Sequence, residues 1–205
     1  MTEEAKTGLK TSRIEALSDG IFAIAMTILI LSFETVLQHP SQINEAVVDK
    51  LIIGLWPDFL HYTESFIILG AFWYQHHRQF HYIKSVDMGL IVINIIGLMF
   101  IGLIPFTTVL VSDFGHTLPA AVLFELNLLV AGLIFFVHWI YASTGRRLLD
   151  PDISPDIIRF YAKRNLVIPV VSLCAAGLSF FEPRLGTILY FIVPVILVAW
   201  KRENL

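Results

Sequence analysis

The chain has 205 residues and a formal net charge of −3; 56% of its residues are hydrophobic and only 15% are charged. Soluble domains carry about 25% charged residues, so this composition, with a mean hydropathy of +0.74, excludes an ordinary soluble fold and favours a bilayer environment. No basic patch points to nucleic acid as a partner, and Cys174 is the single cysteine, so no intrachain disulfide can form.

Six stretches of the chain are predicted to be transmembrane helices, because a span needs about 20 mostly apolar residues. They are residues 12–36, 59–80, 88–112, 119–143, 165–181 and 185–200. The connection at 37–58 is predicted to contain an interfacial helix, and the charged, proline-rich connection at 144–164 a short surface helix. We therefore expect one all-α membrane domain, residues 1–205, with six transmembrane helices.

The positions of lysine and arginine predict the orientation of these helices, because cytoplasmic loops are enriched in both residue types. With six spans, twelve of the 14 basic residues fall on one side, and only Lys50 and Arg184 fall on the other. This bias predicts a multi-pass protein with both termini in the cytoplasm. In the absence of a targeting signal, we expect it in the cell membrane, as a bacterial inner-membrane protein.

The first predicted helix carries a continuous stripe along one face when each residue is advanced by 100°. Ser18 and Asp19 point away from this stripe, towards other helices, where polar groups can hold helices together. Ordinary helix packing is an alternative explanation of the stripe, since isoleucine and leucine are common in any membrane helix. The stripe consists of Arg13, Leu17, Gly20, Ile24, Thr27, Ile28 and Leu31.

Several motifs in the first three predicted helices resemble a known family of membrane proteins. They are Arg13-x-x-x-Leu17-Ser18-Asp19-Gly20, the run at 21–29, Phe72-Trp73-x-x-His76-His77-x-x-Phe80, Asn94 and Pro105-Phe106. Together they resemble the prokaryotic members of the lysosomal potassium-channel family (transmembrane protein 175 type). Leu17 departs from the family pattern, which has phenylalanine at this position.

The resemblance implies a potassium-permeable channel, modestly selective over sodium, built as a homotetramer with the first helices around a central pore. It places Ile24, Ile28 and Leu31 at an apolar constriction and Thr27 at a hydroxyl position beside it. Rings of apolar side chains block ions by dewetting, so such a constriction can act as a gate. Potassium is then the permeant ion, and no cofactor is expected.

The resemblance also implies a polar network that holds the pore helix against its neighbours. His76, His77 and His81 form a His-rich patch, and a metal or haem site is an alternative explanation for it. However, no carboxylate or cysteine completes a ligand set at helical spacing. Histidine near its ordinary pKa also allows a pH effect. The residues of the implied network are Arg13, Ser18, Asp19, Trp73, His76, His77 and Asn94.

Two other classes of membrane protein remain as alternatives to a channel. A secondary transporter of a small cation or solute usually has repeats with broken helices, and Pro169 and Pro194 do not occupy matching halves of the chain. An enzyme needs a convergent catalytic set, and no Ser-His-Asp spacing, phosphate loop or metal motif is present. The sequence therefore favours a channel over a transporter, and an enzyme is not expected.

Overall fold

The computed structural model describes residues 11–36 and 44–200. Every regular element in these ranges is a helix, and within them a single β-bridge pairs Ile83 with Leu149. The predicted all-α fold is confirmed. The helices are α1 (Thr11–Ile28), α2 (Glu45–Gly54), α3 (Trp56–Tyr82), α4 (Met88–Phe114), α5 (Leu118–Ser143), α6 (Pro155–Arg164), α7 (Val167–Ser179), α8 (Pro183–Ile188) and α9 (Ile192–Ala199).

A helix lies at each of the six places where the sequence predicts one, and the connections at 37–58 and 144–164 contain α2 and α6. Local chemistry explains where several helices begin. The side chain of Asp87 accepts a hydrogen bond from Leu90 N at the start of α4, and Ser154 Oγ accepts one from Ile157 N at the start of α6. These caps satisfy N–H groups that have no partner inside the helix.

Two of the predicted helices are less regular than the sequence indicates. The first is α-helical only to Ile28 and continues as a 3-10 helix over Leu29–Val36. The sixth begins at Pro183 and is divided by a 3-10 turn, Leu189–Phe191, between α8 and α9. A 3-10 helix has about three residues per turn, so a stripe drawn at 100° per residue no longer applies beyond Ile28.

Three helical segments among the described residues are long and apolar enough to cross a membrane: Thr11–Phe33, Met88–Phe114 and Leu118–Arg146. Helix α3 has 27 residues, but its many polar side chains lower its hydropathy, and the apolar segment Pro183–Ala199 is shorter. The count of six spans therefore stays a prediction. So does the location of the termini, because Lys6, Lys10, Lys201 and Arg202 lie outside the described residues.

The main hydrophobic core lies between α1, α3, α4, α5, α7 and α9, and it includes Phe22, Phe72, Phe124 and Ile168. A second cluster around Trp139 and Tyr161 joins α6 and its preceding loop to the ends of α3, α4 and α5. The main core holds α1 against the other helices. The second cluster holds the charged connection at 144–164 against the ends of α3, α4 and α5.

Asp87 links the charged segment at 144–164 to the start of α4. Tyr141 donates a hydrogen bond to Asp87 Oδ2 at 3.1 Å, and Arg147 Nη1 lies 3.0 Å from the same oxygen. Burial raises the pKa of the Asp87 carboxyl, but the hydrogen bonds and the Arg147 charge outweigh burial, so its pKa lies below the ordinary value. The chain turns between Tyr141 and Arg147 through Gly145, whose φ of 64° is strained for other residues.

Gly132 lets α5 and α7 approach closely, and this contact leads to a first prediction. A Cβ atom at position 132 would lie 2.7 Å from Cδ of Pro169. The change Gly132→Val is expected to destabilise the protein by about 1–3 kcal/mol, because overpacking forces the two helices apart. Thermal unfolding in detergent should show a clear fall in melting temperature.

Gly102→Val is the matched control, since a Cβ atom at Gly102 on α4 meets nothing within 4 Å. Both changes add the same side chain to a long helix. Equal melting temperatures for the two variants would contradict the assignment of Gly132 as a contact glycine.

Candidate functional site: the first helix and its anchoring network

One face of α1 and its 3-10 continuation packs against the rest of the chain. Phe22 contacts the rings of His76 on α3 and Phe135 on α5, with centroids 6.0 and 6.3 Å away. These contacts hold the helix by its inner face. The buried side chains of this face are Ser18, Phe22, Ala25, Leu29 and Ser32.

The opposite face of the same helix is exposed in the single chain. Ile24 is 58% exposed, Ile28 43% and Leu31 56%, and Leu17 lies on the same side. The whole stripe predicted from the sequence is exposed, including Arg13, Gly20 and Thr27. Ile30, which the stripe does not contain, is also exposed, because the 3-10 geometry turns it outward. Large apolar side chains on such a face contact lipid, another chain or a pore in the assembled protein.

Thr27 is the polar residue in the central part of this exposed face. Its hydroxyl group donates a hydrogen bond to the carbonyl oxygen of Ile24 at 2.8 Å. The proton of the hydroxyl is therefore engaged, and the lone pairs of the oxygen remain as acceptors. An oxygen in this state is a suitable partner for a passing cation.

A chain of hydrogen bonds connects the buried face of α1 to α4 and α3. Ser18 Oγ donates to the carbonyl oxygen of Ile14 at 2.8 Å, and Asn94 Nδ2 donates to Ser18 Oγ at 3.2 Å. Asn94 Oδ1 lies 3.0 Å from Nε2 of His76, so His76 carries a proton on Nε2 and donates it. All three side chains are buried, and Asn94 joins the other two.

A second contact joins α1 to α3 at the surface of the chain. Trp73 Nε1 donates to Asp19 Oδ1 at 2.9 Å, and the ring of His77 stacks on Trp73 with centroids 5.6 Å apart. These three side chains are exposed in the single chain. The predicted network is therefore divided into a buried part and an exposed part.

Arg13 is the predicted network residue that the structure does not bring to the others. It is exposed, and it has no hydrogen-bond or ion-pair partner among residues 11–36 and 44–200. Its membership of the network stays a prediction. Arg13 lies on the exposed stripe of α1, so its guanidinium group is available to a neighbouring chain.

Gln79 and His138 extend the buried part of the network, and the sequence analysis did not place them in it. Gln79 Nε2 donates to the carbonyl oxygen of Phe135 at 3.1 Å, and Gln79 Oε1 accepts from Nδ1 of His138 at 2.6 Å. The ring of His138 stacks on that of His76 at 6.2 Å. Gln79 lies one turn after His76 on α3, and this spacing is the signal that could have identified it.

The histidines of the His-rich patch occupy three different environments. His76 is buried against Asn94, His77 stacks on Trp73, and His81 packs edge-on against Tyr82 with centroids 4.9 Å apart. Among the described residues, no group of three or more His, Cys, Asp or Glu side chains is close enough together to hold a metal ion.

Comparison with known proteins identifies the family of this chain. Residues 13–105 match the family described as endosomal/lysosomal potassium channel TMEM175. A potassium channel of Chamaesiphon minutus is 31% identical over 195 residues, which cover 94% of this chain and 95% of that protein. The chain belongs to the TMEM175 family. A potassium channel of Streptomyces collinus is 29% identical over 156 residues, 73% of each chain.

A solved TMEM175 structure has the same fold over nearly the whole chain. The crystal structure of the lysosomal potassium-selective channel TMEM175 homolog from Chamaesiphon minutus superimposes with a TM-score of 0.75 at 27% identity. The match covers 92% of this chain and 96% of that one. The resemblance found in the sequence is confirmed. As a TMEM175 protein, the chain is a multi-pass membrane protein and an ion channel, and it is not an enzyme.

Proposed function

We propose that four copies of this chain form a potassium-permeable channel, modestly selective over sodium, around a central pore lined by α1 and its 3-10 continuation. Each subunit contributes six spans, and both termini lie in the cytoplasm of a bacterial inner membrane. Potassium is the permeant ion, and no cofactor takes part. The potassium channels of Chamaesiphon minutus and Streptomyces collinus among the relatives support this choice of ion.

The contrast between the two faces of α1 is the observation that carries the proposal. One face is buried and hydrogen-bonded through Ser18 and Asn94, whereas the other exposes Ile24, Ile28 and Leu31. A helix held rigidly from behind can present a ring of apolar side chains to a fourfold axis without rotating. Such a ring excludes water and ions when it is narrow, and therefore acts as a gate.

Thr27 has a separate role in the proposed pore. It lies between Ile24 and Ile28, and its oxygen keeps its acceptor capacity because the proton is bonded to the backbone. Four such oxygens at one level replace part of the hydration shell of a potassium ion next to the apolar ring. This arrangement uses side-chain hydroxyl groups where other potassium channels use rings of backbone carbonyls.

Flux measurements on purified protein in liposomes test the proposal. We expect potassium flux to exceed sodium flux, and the mass of the assembly in detergent to equal about four chains. A monomer or dimer that shows no passive ion flux would contradict the channel and support a secondary transporter. A tetramer that passes both ions equally would support the proposed pore and contradict the proposed selectivity.

A further inference from the structure

A groove between α7 and α9, here called the α7–α9 groove, opens at the surface of the chain. It has a volume of about 360 Å³ and is lined by apolar side chains that include Leu166, Val170 and Ile196. Lys163 and Trp200 also line it, and they lie where α6 ends and where α9 ends. The groove is therefore apolar along its length and has a cation and an indole group at one end.

Arg164 lies next to this end of the groove and is 8% exposed. Its two terminal nitrogens donate to the carbonyl oxygens of Trp200 and Leu197 at 3.1 and 2.9 Å, while Nε has no hydrogen-bond partner. Arg164 also lines a second groove of about 270 Å³ on the other side of α9. The guanidinium group thus covers the carbonyl end of α9, which would otherwise repel an anion.

No carboxylate among the described residues neutralises Lys163 or Arg164. The nearby Arg159 is already paired with Asp156 at 2.9 Å, and Lys201 and Arg202 follow α9 in the sequence, before a single glutamate. The buried charge of Arg164 is stabilised by the two backbone carbonyls and by the rings of Tyr74 and Phe160, whose centroids lie 5.4 and 6.0 Å from the guanidinium carbon. Lys163 is exposed and therefore accessible to an anion. Lys163 belongs to the basic residues that the sequence predicts on the cytoplasmic side, and anionic lipids attract basic clusters on that side.

We propose that the phosphate of an anionic glycerophospholipid binds at Lys163, with one acyl chain in the α7–α9 groove. The exposed Lys163 supplies the charge that the phosphate requires, and Arg164 neutralises the carbonyl end of α9 next to it. Leu166 and Val170 line the groove about one helical turn apart, and so cover about 6 Å of the acyl chain at ~1.5 Å per residue. The site is separate from the proposed pore and does not depend on ion conduction.

Native mass spectrometry of the full-length protein tests this site. Delipidated protein is titrated with phosphatidylglycerol or with phosphatidylcholine of the same acyl chains. Phosphatidylglycerol is expected to bind about fivefold more tightly, as one additional cationic contact provides. Lys163→Gln should abolish the preference, whereas Lys50→Gln, an exposed lysine on α2, should retain it.

A second pair of variants tests the acyl chain. Val170→Trp fills the groove and is expected to lower the binding of both lipids. Leu173 is exposed on α7 outside the groove, so Leu173→Trp should leave the binding of both lipids unchanged. Equal binding of the two lipids by the wild-type protein, or an unchanged preference in Lys163→Gln, would overturn the proposal. A change in assembly mass with Val170→Trp, without loss of lipid, would assign the groove to a second copy of the chain.

Discussion

Replacing Ile24 with asparagine is expected to raise potassium flux at least about tenfold, which corresponds to lowering the conduction barrier by ~1.4 kcal/mol. Ile24 is 58% exposed on the stripe of α1 that we place around the pore. Four amide groups hydrate a constriction that four isoleucine side chains keep dry. The selectivity for potassium over sodium should fall at the same time, because hydrated ions of both kinds pass a wetted constriction. Flux of each ion through liposomes measures both effects.

Ile95→Asn is the matched control for this experiment. Ile95 is 51% exposed on α4, so the substitution places the same amide on a membrane helix away from the proposed pore. Its flux and selectivity should equal those of the wild-type protein. If Ile24→Asn also behaves like the wild-type protein while both variants remain folded and assembled, Ile24 does not lie in the ion path.

Replacing Asn94 with leucine is expected to remove the link between α4 and the pore helix. The change leaves Nε2–H of His76 buried without an acceptor and deprives Ser18 of its donor. An unsatisfied buried polar group costs about 1–3 kcal/mol, so the melting temperature should fall. Because α1 then loses its fixed position, the ratio of potassium to sodium flux should fall as well.

Asn127→Leu separates the effect on the pore helix from a general loss of stability. Asn127 is buried on α5 and donates to Thr107 Oγ1 at 3.3 Å, in a contact that does not include α1. This variant should lose stability and keep the wild-type ratio of potassium to sodium flux. Equal changes of that ratio in both variants would contradict a specific role of Asn94 in holding α1.

Much of the helical layout follows from the sequence because a membrane span requires a long apolar run. The run at 119–143 corresponds to α5 within one residue, and the run at 88–112 begins with α4 at Met88. The prediction from the sequence was inaccurate where the helix geometry changes without a change in apolar character. Nothing in the run from Leu29 to Val36 distinguishes a 3-10 helix from an α-helix, since the tighter turn depends on packing against other elements.

The hydrogen-bond network behind α1 was likewise only partly predictable from the sequence. The resemblance to TMEM175 channels grouped Ser18, His76 and Asn94, and the structure brings Asn94 within hydrogen-bond distance of the other two. The contact between Gln79 and His138 was not predictable from the residues, because 59 positions separate the two side chains in the chain. Hydrogen bonds between distant helices depend on how the helices pack, and a single sequence does not encode this in any local pattern.

The sequence by itself determined that this chain is a helical membrane protein, and it determined which residues share each face of α1. These properties follow from composition and from the periodicity of a helix, and both are local. The sequence predicted that Ser18 points towards other helices, but only the tertiary structure decided which of the apolar side chains are buried. Phe22 and Leu29 are as apolar as Ile24 and Leu31, and in a bilayer apolarity does not separate the inside of a protein from its outside. The hydrogen bond from Asn94 to Ser18 and the packing of Phe22 hold one face inward, and thereby leave the isoleucine face free to line the proposed pore.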